Sequence, residues 1–178
     1  MLEAPAKPHP FPPEAAVLSL QPAELRALLE PCLAVPRWVQ EVSQAGPYES
    51  AESLLARARQ AATPLSDDEI AEALADHPRI GEGPVGEGRA QDFSRAEQAS
   101  PDADDDRVNA AIARGNAEYE RRFDRVFLIR AKGRTRREIL DELTRRLELD
   151  DDTERAIVGA ELRDIALLRL ESSLEQYA

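Results

Sequence analysis

Residues 75–86 read ADHPRIGEGPVG and hold one of the chain's two histidines, a proline directly after it, and three glycines spaced G-x-G-x-x-G. Each residue type has its own chemistry. An imidazole moves protons near neutral pH or ligates a metal. Glycines in that spacing can let a backbone close around a pyrophosphate. The same letters also describe an ordinary connection between helices.

The glycines are the first to be set aside. A dinucleotide fingerprint needs a strand before it and a helix opening within it. Here a helical pattern precedes, and Pro84 interrupts Gly81, Gly83 and Gly86. The acidic run PDADDDR invites a calcium loop, but Arg107 stands where that loop needs glycine and Ala113 where it needs glutamate. It reads instead as the solvated start of a helix, with anions near the positive dipole end. A zinc centre needs several Cys or His ligands. The chain offers Cys32, His9 and His77, with His9 in a proline-rich lead-in, so no metal site is expected. The G-x-S-x-G elbow of the α/β-hydrolases is absent.

Three features remain. His77 is either a proton carrier or a residue at a helix end. Arg169 falls in line with Val158, Leu162 and Ile165 on a helix of about 100° per residue, so a charge continues an apolar stripe. Its guanidinium then snorkels or meets a carboxylate, or it clamps an anion in a pocket. The third feature is Ser94-Arg95-Ala96-Glu97-Gln98. Ser94, Glu97 and Gln98 share a helical face, yet Ser94 and Glu97 also have the spacing of a capping box.

Helices must position these residues. Gln21-Pro22 opens one that runs to about Pro31, and Pro36-Arg37-Trp38 opens a second. Ser50 caps a third, and Ser66-Asp67-Asp68-Glu69 forms a capping box for a fourth that ends near Asp76. Pro78 disfavours helical geometry at His77, which therefore sits just past that end. Residues 81–91 read as loop, and a long helix runs from about 102 to 123. Phe127-Leu128-Ile129 is short and extended. Thr135-Arg136-Arg137-Glu138 caps a helix to about Leu147, and Thr153 begins the last, which runs towards Tyr177. The expected fold is all-α, a single-domain bundle of about seven to nine helices over residues 14–178, behind a flexible proline-rich N-terminus at residues 1–13.

Composition limits the partners. The 178 residues carry a formal net charge of -12, which argues against nucleic acid. A few local arginines can still bind a small anion. The lone Cys32 forms no intramolecular disulfide and suits a reducing, cytoplasmic compartment. No apolar run reaches transmembrane length, and MLEAPAKPHPFPP lacks the apolar core of a signal peptide.

Five blocks occur in order: HPRIG (77–81), SRAEQA (94–99), NAEYERRF (116–123), FLIRAKGR (127–134) and ELRDIALLRL (161–170). Together they resemble the OHCU decarboxylases, the family of 2-oxo-4-hydroxy-4-carboxy-5-ureidoimidazoline decarboxylases. The resemblance covers nearly all of the chain from about residue 18. It implies an all-α, cofactor-free homodimer that forms (S)-allantoin in urate degradation. It also implies that the catalytic residues are His77, Glu97 and Arg169, with Glu97 the acidic partner of His77. Pro78, the segment Ser94, Arg95, Ala96, Glu97 and Gln98, and the segment Phe127, Leu128, Ile129, Arg130 and Ala131 would bind substrate. The sequence departs from the family at Arg130, where many relatives carry a small or apolar residue. Residues 100–106 are unusually acidic and residues 83–88 unusually glycine-rich.

The implied chemistry suits these residues. The substrate's own conjugated C=N and C=O groups hold the electron pair left by CO2, so no metal or organic cofactor is demanded. Arg169 would hold an anionic or carbonyl group. Gln98 and Ser94 would bond the ureido and ring amides, and His77 would protonate one face of the ring. Which of His77 and Glu97 assists CO2 departure, and which protonates the ring carbon, stays open. The other readings are a helical binding module that has kept the fold without the activity, and a ureide hydrolase using His77 as base.

Overall fold

A computed structural model describes residues 20–75, 77–82 and 87–175. The expected flexible N-terminus therefore lies outside the described residues, as do Gly83 and Gly86. Eight helices form among the described residues: α1 (Pro22–Leu29), α2 (Pro36–Gln44), α3 (Ala51–Ala61), α4 (Asp67–Leu74), α5 (Arg89–Glu97), α6 (Asp106–Phe123), α7 (Arg136–Arg146) and α8 (Asp151–Leu174). No sheet is present among them, and the fold is all-α.

The anticipated caps form at α3, α4 and α7. Ser66 Oγ accepts the Glu69 amide at 3.3 Å, while the Glu69 carboxylate accepts the Ser66 amide at 2.8 Å. Thr135 and Glu138 repeat the exchange at 3.2 and 2.7 Å. Three boundaries differ from the sequence reading. Asp150 Oδ1 accepts the Thr153 amide at 2.9 Å, so α8 begins at Asp151 and Thr153 lies inside its first turn. The acidic run does not extend α6 back to 102. Asp102 instead accepts the Arg136 and Arg137 amides at 2.7 and 3.2 Å, serving the start of α7, and Asp105 caps α6. Finally, α5 begins at Arg89, inside the stretch read as loop. Ser94 is consequently mid-helix. Its hydroxyl donates to the Ala90 carbonyl at 3.0 Å and caps nothing.

Apolar side chains gather into two cores. One is built from α1, α2, α3, α4 and α8 around Trp38, Leu54, Val158 and Leu162. The other is built from α6 and α7 around Ile112, Tyr119, Ile139 and Leu143. Residues 127–131 run extended between them, and side chains of an extended chain alternate in direction. Phe127, Ile129 and Ala131 enter the second core, and Leu128 enters the first.

A buried ionic group pins this segment. Arg146 is fully buried, donates from Nη1 to the Leu128 carbonyl at 2.7 Å, and stands 4.7 Å from the Phe127 ring centre. Its Nε lies 2.9 and 3.0 Å from the two oxygens of Glu154, which also accepts from the Tyr119 hydroxyl. Burial and the adjoining carboxylate hold the Tyr119 hydroxyl above its usual pKa, so it stays a donor. Breaking such a buried pair from one side costs about 3–5 kcal/mol.

Candidate active site

His77 follows α4 directly, with its amide bonded to the Leu74 carbonyl at 3.1 Å. The side chain is half-buried, and its Nε2 is shielded from water. Two helices hold the loop after it. From the end of α5, Gln98 Oε1 accepts the Gly81 amide at 3.1 Å, and Nε2 donates to the Arg79 carbonyl at 3.4 Å. From α6, Asn116 donates to the Ile80 carbonyl at 3.0 Å, and Glu120 meets Arg79 at 2.5 and 2.9 Å. Gly81 has φ +91°, a conformation that side chains disfavour, so the turn needs its glycine.

Opposite His77, α5 and α8 bring Ser94, Glu97 and Arg169 together. Arg169 is buried at 5% exposure, and each oxygen of Glu97 accepts one of its N–H groups at 2.7 Å. Its Nη2 also lies 3.4 Å from the Ser94 hydroxyl. The charge on the apolar stripe thus has a carboxylate partner, and it borders a pocket as well. Glu97, expected beside His77, gives both oxygens to Arg169.

A cavity of about 300 Å³ opens between these elements, within the usual range of small-ligand sites. His77, Pro78, Ser94 and Arg169 all border it. A crevice of about 20 Å³ continues from the same wall. There His77, Pro78 and Ser94 meet Glu97 and Gln98 from α5 and Phe127, Leu128, Ile129 and Ala131 from the extended segment. Most of the expected site residues, scattered over more than ninety positions of sequence, therefore converge.

Three do not reach either cavity. Ala96 is exposed, Arg95 is exposed and pairs with Asp92 at 2.6 Å, and Arg130 is exposed with its amide bonded to Glu161 at 2.7 Å. Gln98, expected to bond substrate, spends its amide group on the loop. Sequence reasoning also missed residues. Cys32 lies in the cavity wall, where burial pushes its thiol up to about 12, and nothing in its sequence context marks it. Asn116, Tyr119 and Glu120 were visible only as members of the NAEYERRF block.

The arrangement suits proton transfer inside a partly dry pocket. An imidazole faces a neutralised Arg–Glu pair, with apolar residues of the extended segment closing the floor. Among the described residues, no three His, Cys, Asp or Glu side chains gather as metal ligands, and no helix is long and apolar enough to cross a membrane.

An all-α bundle thus brings a histidine and an arginine to one cavity and the arginine's carboxylate partner to the crevice beside it, an arrangement open to acid–base chemistry on a small anion. The chain belongs to the OHCU decarboxylase family, whose profile matches residues 18–171. A crystal structure of OHCU decarboxylase in the presence of (S)-allantoin is similar at TM-score 0.66 and 25% identity, over 80% of this chain and 94% of that one. A structure of (S)-allantoin synthase shares the fold at TM-score 0.58 and 21% identity, over 88% of this chain and 52% of that one. Comparison with curated proteins returns no match.

Proposed function

We propose that this protein decarboxylates 2-oxo-4-hydroxy-4-carboxy-5-ureidoimidazoline to (S)-allantoin, with the substrate in the 300 Å³ cavity beside His77. The single observation that carries this reading is the convergence of His77 with the Arg169–Glu97 pair at one pocket wall. As the C–CO2 bond breaks, its electron pair forms a C=C bond to the neighbouring ring carbon, and the C=N pair passes to the ring nitrogen, which takes a proton. The resulting enol becomes a ketone when the ring carbon bearing the ureido group takes a proton on one face and the enol hydroxyl gives its proton up. No electron sink outside the substrate is needed.

Each residue has a role in this scheme. Arg169, whose Nε and Nη2 pair with Glu97, fixes an anionic or carbonyl group of the substrate through its Nη1 side, and Ser94 supports the same guanidinium. His77 delivers the proton and so sets the (S) configuration. Glu97 holds Arg169 in orientation and stays within the crevice that His77 borders. Pro78 with Phe127, Leu128, Ile129 and Ala131 excludes water and fixes the ring plane. The active species is a homodimer in the cytoplasm, a reading that rests on the family and on the lone buried thiol. Sedimentation at micromolar concentration tests the dimer, with about twice the 19.7 kDa chain mass as the expected result.

The decisive experiment generates the unstable substrate in place from urate and follows optical activity. Rapid appearance of (S)-allantoin supports the reading. Racemic allantoin at the spontaneous rate refutes it, and a different product without CO2 release favours the hydrolase.

A further inference from the structure

We infer that Asn116 and Glu120, one turn apart on α6, are positioning residues for His77. The inference rests on the decarboxylase reading above. Neither side chain borders the 300 Å³ cavity, yet both grip the segment that carries the histidine. Residues one turn apart on a helix share a face. Asn116 takes the Ile80 carbonyl at 3.0 Å, and Glu120 takes the Arg79 guanidinium through both oxygens, so adjacent loop residues are fixed from one rigid helix.

Packing alone does not account for Asn116. It is 5% exposed, and its Oδ1 is buried with no donor. An apolar side chain there would avoid that desolvation cost. The amide is explained by what its other end does, which is to set the position of Ile80. Between these two residues on the same helix, Tyr119 donates to Glu154, which holds Arg146 on the Leu128 carbonyl. One stretch of α6 therefore sets both the His77 loop and the opposing floor of the crevice. A displacement of about 1 Å between reacting groups costs on the order of a hundredfold in rate, so this spacing matters to turnover.

The test compares Asn116→Leu and Glu120→Gln with wild type. The expected result is a melting temperature and KM close to wild type, a kcat lowered about ten- to a hundredfold, and a lower enantiomeric excess of allantoin. The charge swap Arg79→Glu with Glu120→Arg should recover most of the kcat lost in Glu120→Arg alone. A readout independent of activity is the titration of the His77 Cε1–H resonance, separated from that of His9 by a His9→Gln background. Its midpoint should move in both variants. Wild-type kcat, enantiomeric excess and His77 titration in both variants overturn the proposal. Should Asn116→Leu not fold, Glu120→Gln and the charge swap decide, because that pair is partly exposed. A wild-type protein that makes no optically active allantoin refutes the functional reading instead, and the His77 titration then decides the positioning role.

Discussion

Glu97 and Arg169 stand 72 residues apart in sequence and meet through two parallel hydrogen bonds of 2.7 Å each. A guanidinium aligned with an apolar stripe is thereby neutralised at the wall of a cavity, with the Ser94 hydroxyl beside it. Its pairing orients the guanidinium, which also lines the cavity.

Arg169→Lys keeps the charge and loses the planar fork. Both stability and kinetics should respond. We expect kcat/KM to fall by about ten- to a hundredfold, since bidentate recognition is lost. Arg169→Met should destabilise more, towards about 3 kcal/mol, because Glu97 is left largely buried without its cation. Urea unfolding alongside steady-state kinetics checks both. Unchanged kinetics in folded Arg169→Lys would assign the pair to structure alone.

His77→Asn retains polarity and approximate size but carries no proton near neutral pH. Its turnover should drop by roughly two to four orders of magnitude, the usual contribution of a positioned acid–base group. Folding should be nearly unaffected, because the side chain is only half-buried past a helix end. Glu97→Gln should reduce turnover too, and the double variant should be little worse than either alone if they act as a unit. Near-normal production of (S)-allantoin by His77→Asn would make the histidine a mere loop residue.

The Cys32 thiol is held at about 12, chiefly by burial, so it is neutral at physiological pH. Iodoacetamide at pH 8 should modify the folded protein far more slowly than the urea-unfolded chain, as mass spectrometry would read. Fast alkylation of the folded protein would contradict that environment.

Glu69 joins α2 to α4 by accepting from Arg37 Nε at 2.5 Å, and this bond is the main cause of its pKa of about 2. The folded value lies below the unfolded one, so the contribution is complete above about pH 4.5 and is lost as pH falls towards 2. Glu69→Gln should therefore be less stable than wild type at pH 6, and the gap should close on acidification. Urea midpoints across that window check the sign. A gap that widened at low pH would show that another group dominates.

Much of the secondary structure was legible because its signals are local. A serine or threonine with glutamate three residues on satisfies the first free amides of a helix wherever that helix packs. That is why Ser66 and Thr135 could be read directly. The same spacing misled at Ser94. There the helix had already begun at Arg89, after a Gly88 with φ +136°, and the hydroxyl turned back to the Ala90 carbonyl. Asp102 likewise looked like a helix start, but two amides of α7 won its carboxylate.

By itself the sequence determined the helical class and most helix starts, since these depend on residue type and on spacing along one chain, and it singled out His77, Glu97 and Arg169 as candidates. Its five ordered blocks were enough to indicate the family. Only the tertiary structure decided the partners. With 35 acidic and 23 basic side chains, no spacing rule selects Arg169 for Glu97, Arg79 for Glu120 or the loop amides for Gln98. Those pairings arise from how α5, α6 and α8 are placed around two cores, which bring distant residues to hydrogen-bonding range. A hydrogen bond weakens steeply with distance and angle, so a small difference in helix placement selects the pair.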